Sequence, residues 1–166
     1  MRVSLQPLSY KYLDGYVELL SDLSTARYIS DVGPLSRDQA KDKMESINSN
    51  GNNQQYFAIT SEIDDMFLGY IAAHDLSSSV CPISYAILPK YRRRGVASTA
   101  IRKIQNYIFE KEGIESIEAL THVGNEGSKE LLRSLDFDHI GTADTAKGKR
   151  EKFKKSNSNK SVLTTS

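Results

Sequence analysis

The chain has one cysteine, Cys81, in 166 residues, and no apolar run near the length that crosses a membrane. A single cysteine excludes a disulfide framework and a cysteine-based metal site. The histidines, His74, His122 and His139, have no ligand-like spacing, so no metal is expected. Neither Gly-x-x-x-x-Gly-Lys-Ser/Thr nor Gly-x-Gly-x-x-Gly occurs, which removes the nucleotide P-loop and the dinucleotide fingerprint. The opening MRVSLQPLSYKYLDGY has no signal-peptide apolar region, so a cytoplasmic location without a membrane partner is expected. Net charge is small as well, at +1, but it hides an asymmetry. Residues 1–89 hold 6 Lys and Arg against 11 Asp and Glu; residues 90–166 hold 16 against 10. Two halves of opposite sign attract ions of opposite sign if each has its own face. With 39% apolar and 26% charged residues, the composition suits one globular domain. That domain is expected over 1–155, with SNSNKSVLTTS at 156–166 as a polar, disordered tail.

What is present reads as mixed helix and strand, an α+β chain. MRVSLQPL is a first strand. Tyr12, Tyr16, Leu19, Leu20 and Leu23 have helical spacing, and STARYIS makes a short second helix with Ser24 as cap. Ser36 and Gln39 stand at capping-box spacing, so a third helix starts there. YFAIT, MFLGYIAAHD and ISYAILP form an antiparallel meander, its last strand bounded by Pro82 and Pro89. Ala97, Ala100, Ile101, Ile104 and Ile108 stripe a helix, and GIESIEALTHV is the strand after it. NEGSKELLRSLDF is a helix, and DHIGTAD with REKFKKS a final hairpin, its second strand weakly signalled.

The densest positive charge sits at the strand-to-helix junction LPKYRRRGVAST, residues 88–99. A helix N-terminus presents unpaired N–H groups and the positive end of the helix dipole. Gly95 admits a ligand close to the backbone, and Arg92, Arg93 and Arg94 add charge. Together these suit a phosphate group; the alternative is a solvated basic turn.

RRRGVA, residues 92–97, resembles the acyl-CoA signature [Q/R]-x-x-G-x-[G/A] of the GNAT N-acetyltransferases. ISYAILPKYRRRGVASTAI is similar to the strand–Pro–loop–helix of that family, and THVGNEGSKELLRSLDF to its later Asn-x-x-Ser helix. LSTARYIS and FAIT…FLGYI resemble the branch of the ribosomal-protein N-acetyltransferases RimJ and RimL. The resemblance covers about residues 1–143. It implies the GNAT fold: a central, mostly antiparallel, twisted sheet with one parallel, splayed strand pair, flanked by helices. It implies acetyl-CoA as co-substrate and direct transfer of the acetyl group to a primary amine, such as a protein N-terminus, a polyamine or another small amine. Pantetheine would then lie along Tyr85, Ala86, Ile87 and Leu88, and the diphosphate on Arg92, Arg93, Arg94, Gly95, Val96 and Ala97. Asn125 either hydrogen-bonds pantetheine or caps its helix. Ser128 is implied in holding the thioester or protonating the thiolate. Asp14, Glu18 and Asp31 fall in the helical region that walls the acceptor cleft.

The chain departs from the family at three points. Pro82 stands where many relatives have a Glu, Leu132 where many have a Tyr acid, and Asp136 where a Gly is usual. With the carboxylate missing, His122, at the end of the strand lining the splay, is the candidate base, and His74 and Asp75 are weaker ones. Two rivals remain open: a non-catalytic CoA-binding module on the same fold, and an RNA- or ribosome-associated protein using the basic half. A DNA partner is not expected. The chain is expected to be a monomer or homodimer.

Overall fold

The first strand, β1 (Val3–Pro7), is followed by a 3-10 turn at Tyr10–Tyr12 and then α1 (Leu13–Ser21), α2 (Leu23–Ile29) and α3 (Arg37–Ser49). The computed structural model describes residues 1–29, 34–49, 53–146 and 148–158. The meander is β2 (Gln55–Ser61), β3 (Phe67–Ala73) and β4 (Val80–Ile87). It leads through the basic loop into α4 (Val96–Phe109), then β5 (Ser116–His122), α5 (Glu126–Ser134), β6 (Asp138–Thr145) and β7 (Gly148–Ser156). The strands form one sheet in the order β1-β2-β3-β4-β5-β7-β6. Among the described residues only the β4–β5 pair is parallel; α4 makes the crossover between them.

Two apolar layers hold this sheet. On one face the α4 stripe of Val96, Ala100, Ile101, Ile104 and Ile108 packs on Leu68, Ile71, Ile83 and Ile117. On the other, Tyr16, Leu19, Leu20 and Met44 of α1 and α3 cover Ala58, Tyr70 and Ala72. β3 is therefore buried along its whole length, and its sequence FLGYIAA is apolar throughout rather than alternating. Among the described residues no helix is long and apolar enough to cross a membrane.

Local signals decide where the elements begin and end. The capping box at α3 is reciprocal: Ser36 N–H donates to Gln39 Oε1 at 2.9 Å, and Gln39 N–H to Ser36 Oγ at 3.2 Å. The cap of α2 is Asp22 rather than the expected Ser24. Its Oδ2 accepts from Thr25 N at 2.8 Å, Thr25 Oγ1 at 2.9 Å and the Ser24 hydroxyl at 2.5 Å. These bonds, the one from Ser24 foremost, hold the Asp22 carboxyl below its ordinary value. Asp136, in place of a usual glycine, takes a φ of 65°. The chain leaves α5 there in a Schellman arrangement, Asp136 N–H to Arg133 O and Phe137 N–H to Leu132 O, both 3.0 Å.

The basic segment GKREKFKKS is strand β7, between β5 and β6. β7 runs through Ser156, opposite Ser116, and Asn157 is buried with its N–H on Glu115 O at 2.8 Å. The fold thus continues past the expected boundary at residue 155. The remaining tail from residue 159 lies outside the described residues.

Candidate active site

β4 and β5 keep register only from Val80–Ser116 to Ile83–Ala119. Beyond that point each follows its outer neighbour, β4 along β3 as far as Ile87–Gly69 and β5 along β7 as far as His122–Arg150. The two strands part, and a cleft of about 900 Å3 opens between them. Ser84, Tyr85, Ala86 and Ile87 form one wall, and Leu120, Thr121 and His122 the other. Arg93, Gly95, Val96, Ala97 and Ser98 close one end at the start of α4.

That end is shaped for an anion. Arg93 (φ 62°) and Gly95 (φ 78°) both take left-handed backbone, which turns the chain sharply into α4. A Cβ built on Gly95 meets nothing within 4 Å, so the glycine leaves open space in front of the first helical N–H groups. The cleft wall also holds an orphaned polar atom: Thr121 Oγ1 is buried without a hydrogen-bond partner among the described residues. A linear ligand with amide groups and a phosphate end fits both features, as coenzyme A would.

The expected site residues divide. Tyr85, Ala86, Ile87, Arg92, Arg93, Gly95, Val96, Ala97, His122, Asn125 and Ser128 line the cleft. Leu88 does not: it is buried in the core, with its N–H on Leu68 O at 2.9 Å. Arg94 is exposed and not part of the cleft wall. Asp14 pairs with Arg37 at 2.8 Å and Glu18 with Lys90 at 3.3 Å, both outside the wall, and Asp31 lies outside the described residues.

Arg92 holds protein rather than open space. Its Nε donates to Ile87 O at 3.0 Å, Nη1 to Ser24 Oγ at 3.1 Å and Nη2 to Thr25 Oγ1 at 3.0 Å, with Asp22 4.0 Å away. The guanidinium ties the basic loop to the start of α2. Arg92→Ala is expected to cost ~1–3 kcal/mol of stability, read as a lower melting temperature without any ligand. Unchanged melting with weaker coenzyme A binding would instead make Arg92 a phosphate ligand.

Asn125 caps α5, its Oδ1 accepting from Ser128 N at 3.1 Å. Ser128 Oγ lies 2.5 Å from Tyr85 Oη, and burial pushes the Tyr85 phenol up to about 12. The resemblance places Tyr85 along the pantetheine and gives its phenol no role. Leu132, where many relatives have a Tyr, is buried in the core, and a phenol lining the cleft stands at Tyr85 on β4. A carboxylate is likewise displaced: Glu118 on β5 stands in register with Pro82 and lines the cleft, with Lys152 at 3.4 Å.

The histidines differ in what they can do. His122 Nδ1 accepts from Gly124 N–H at 3.0 Å, which places the neutral ring's proton on Nε2. His74, which follows β3, has Nε2 2.7 Å from Ser84 Oγ, and Tyr70 Oη donates to the same oxygen at 3.2 Å. Tyr56 meets the His74 ring edge-on at 5.5 Å. Burial, and then the charge of Lys43, lower the His74 pKa, so its ring is neutral at pH 7. Serine and histidine ten positions apart in a meander carry no signal by spacing; the strand register brings them together, with Ser84 opposite Ala72. Among the described residues no group of three or more His, Cys, Asp or Glu is placed to hold a metal.

Residues 2–138 match the family model described as an acetyltransferase (GNAT) domain. The chain is 26% identical over 145 residues to the uncharacterized N-acetyltransferase p20 of Bacillus licheniformis, covering 84% of this chain and 81% of that one. It is 34% identical over 76 residues to the uncharacterized N-acetyltransferase YoaA of Bacillus subtilis, a match spanning 45% of this chain and 43% of that protein. Among solved structures, spermidine N-acetyltransferase from Vibrio cholerae, in complex with CoA and spermine, superimposes with a TM-score of 0.81 at 16% identity. That match covers 94% of this chain and 96% of that one. Aminoglycoside acetyltransferase AAC(6')-Ib, in complex with coenzyme A and kanamycin, gives 0.81 at 11% identity, covering 98% and 99%. At these identities the two structures share the fold.

Proposed function

The chain belongs to the GNAT acetyltransferase family, and on that premise we propose that it transfers the acetyl group of acetyl-CoA to a primary amine by direct attack. The observation that carries this reading is the parting of β4 and β5 over the left-handed turn at Gly95. Acetyl-CoA would supply an activated acyl group and a thiolate leaving group. Residues 93–97 hold the diphosphate on backbone N–H groups, while Thr121 Oγ1 and residues 85–87 take the amide-bearing arm. The amine nitrogen forms the new C–N bond as the C–S bond breaks. Its proton passes to the protein, and Ser128, backed by Tyr85, returns one to the sulfur. Most of the acceleration comes from holding both reactants in one cleft.

For the first proton two routes stand in the wall. His122 is one, but its Nδ1 lone pair is engaged by Gly124 N–H. The other is Ser84, whose hydroxyl passes a proton to neutral His74 while accepting from the amine. The second route has its acceptor nitrogen aimed at a cleft-lining hydroxyl, and we favour it on that geometry.

The acceptor is either a protein N-terminus, as the resemblance to the RimJ and RimL branch suggests, or a small amine, as the solved neighbours' bound ligands suggest. Asp14, Glu18 and Asp31 remain candidate outer contacts for it; the tie from Glu18 to Lys90 bears on the basic loop as much as on an acceptor. An RNA role for the basic half finds little support in β7, where Lys152 pairs with Glu118 and Lys155 donates to Leu135 O.

The test is release of free coenzyme A thiol against a panel of amines, with acetylated product identified by mass spectrometry. Coenzyme A binding without turnover of any amine would favour the non-catalytic module. Tyr85→Phe keeps the ring and loses the hydroxyl at Ser128. It is expected to lower kcat about tenfold or more with the KM for acetyl-CoA little changed. An unaltered kcat would remove the Tyr85–Ser128 pair from proton return.

A further inference from the structure

The described residues of the cleft wall offer little negative charge to a polyamine. Among the described residues of its wall, Glu118 is the one carboxylate, and Lys152 already stands 3.4 Å from it. Arg150 faces the same space from β7, opposite His122 on β5 and Ala143 on β6, near the β6–β7 hairpin. It is 9% exposed. Its hydrogen bond among the described residues runs from Nη1 to Lys149 O at 3.2 Å, and no carboxylate among them pairs with it. The remaining guanidinium N–H donors have no acceptor of that kind.

A buried guanidinium without an anion is costly, because desolvation of the charge is not offset. Proteins keep such a group where a ligand completes it. Arg is suited to this by its planar fork, which matches a carboxylate through two parallel N–H···O bonds. A single guanidinium on the β7 side of the cleft, beside exposed Leu120, matches a single negative charge better than a dianionic phosphate. The anion loop at Gly95 follows β4 on one side of the splay, whereas Arg150 stands on β7 beside β5 on the other.

We propose that Arg150 recognises a carboxylate on the acceptor, so that the substrate is a small amine of amino-acid type rather than a polycation. This rests on the acetyl-transfer reading above. The acceptor would enter from the β6–β7 hairpin, with its carboxylate on Arg150 and its amine directed inward to Ser84. Leu120, between Glu118 and His122 on the same strand face, gives the apolar surface for its carbon skeleton.

The experiment compares amino acids with their own carboxamides, and with spermidine and kanamycin as polycationic probes. Rates are referred to the free-amine form, since amides and acids differ in amine basicity. The wild type is expected to show kcat/KM about tenfold or more higher for the acid than for its amide, and least activity on the polycations. Arg150→Gln is expected to bring the acid-to-amide ratio close to one, while coenzyme A still raises the melting temperature. Arg150→Lys keeps the charge without the fork and is expected to retain part of the preference, which separates recognition from any loss of folding in the Gln variant. A wild-type ratio near one, or polycations acetylated as well as the amino acids, would overturn the inference and leave acetyl transfer standing. So would equal losses for acid and amide in the Gln variant, or loss of the coenzyme A effect, which would give Arg150 a structural or cofactor role. If no amine in the panel is acetylated while coenzyme A binds, the transfer reading fails and this inference falls with it.

Discussion

Gly95→Val is expected to abolish stabilisation by coenzyme A. A ligand that binds only the native state, at about a hundredfold excess over Kd, adds ~2.7 kcal/mol. For a chain of this length that raises the melting temperature by roughly 5–10 °C. Gly95 has a φ of 78° and open space where a Cβ would stand. A valine pays backbone strain of about 1–3 kcal/mol there, and its methyl groups fill the space before the α4 N–H groups. The ligand-free protein should melt a few degrees lower and show no shift with coenzyme A. Gly95→Asn separates the two effects, because asparagine tolerates left-handed backbone. It should stay near wild-type stability and still lose the shift. If the Asn variant binds coenzyme A as wild type does, the space before α4 is not the phosphate site.

The anion loop was legible because its signal is local. Proline, glycine and the apolar stripe lie within a single stretch of chain, and each fixes its own backbone. What the sequence did not disclose depends on pairing between distant segments. Arg92 reads as a phosphate ligand until α2 arrives beside it and occupies its donors. Tyr85 and Ser128 are far apart in the chain, and no periodicity joins them. β7 was weakly signalled because charged residues fill most of its positions. Phe153 is its one fully buried anchor, and Arg150 reaches the cleft only because β7 lies next to β5. Net charge over a segment does not say which charges face a cleft: in the acidic first half, Asp14 pairs with Arg37 and Glu18 with Lys90.

His74→Gln is expected to lower kcat about a hundredfold, and His122→Gln far less. An amine must lose a proton as it attacks, and the carboxylate that many relatives use is Pro82 here. Ser84 Oγ reaches the cleft and lies 2.7 Å from His74 Nε2, so a proton taken from the amine can pass to the ring. The ring must be neutral to accept it. Burial lowers the His74 pKa, so wild-type kcat should hold through pH 6.5 and fall only as the pH drops through that lower value. The same burial makes protonation unfavourable to the native state. Stability should therefore be full above the ordinary histidine pKa and decline as the pH falls toward the lowered one, where the unfolded chain binds the proton first. His74→Gln removes this acid limb from both kcat and stability, leaving only the ionisation of the amine itself. Ser84→Ala should resemble it in rate but keep the stability limb, because the ring still titrates. If His122→Gln takes the acid limb of kcat with it, and His74→Gln does not, the proton leaves by β5 instead. Gln variants that both match wild type would assign its removal to solvent.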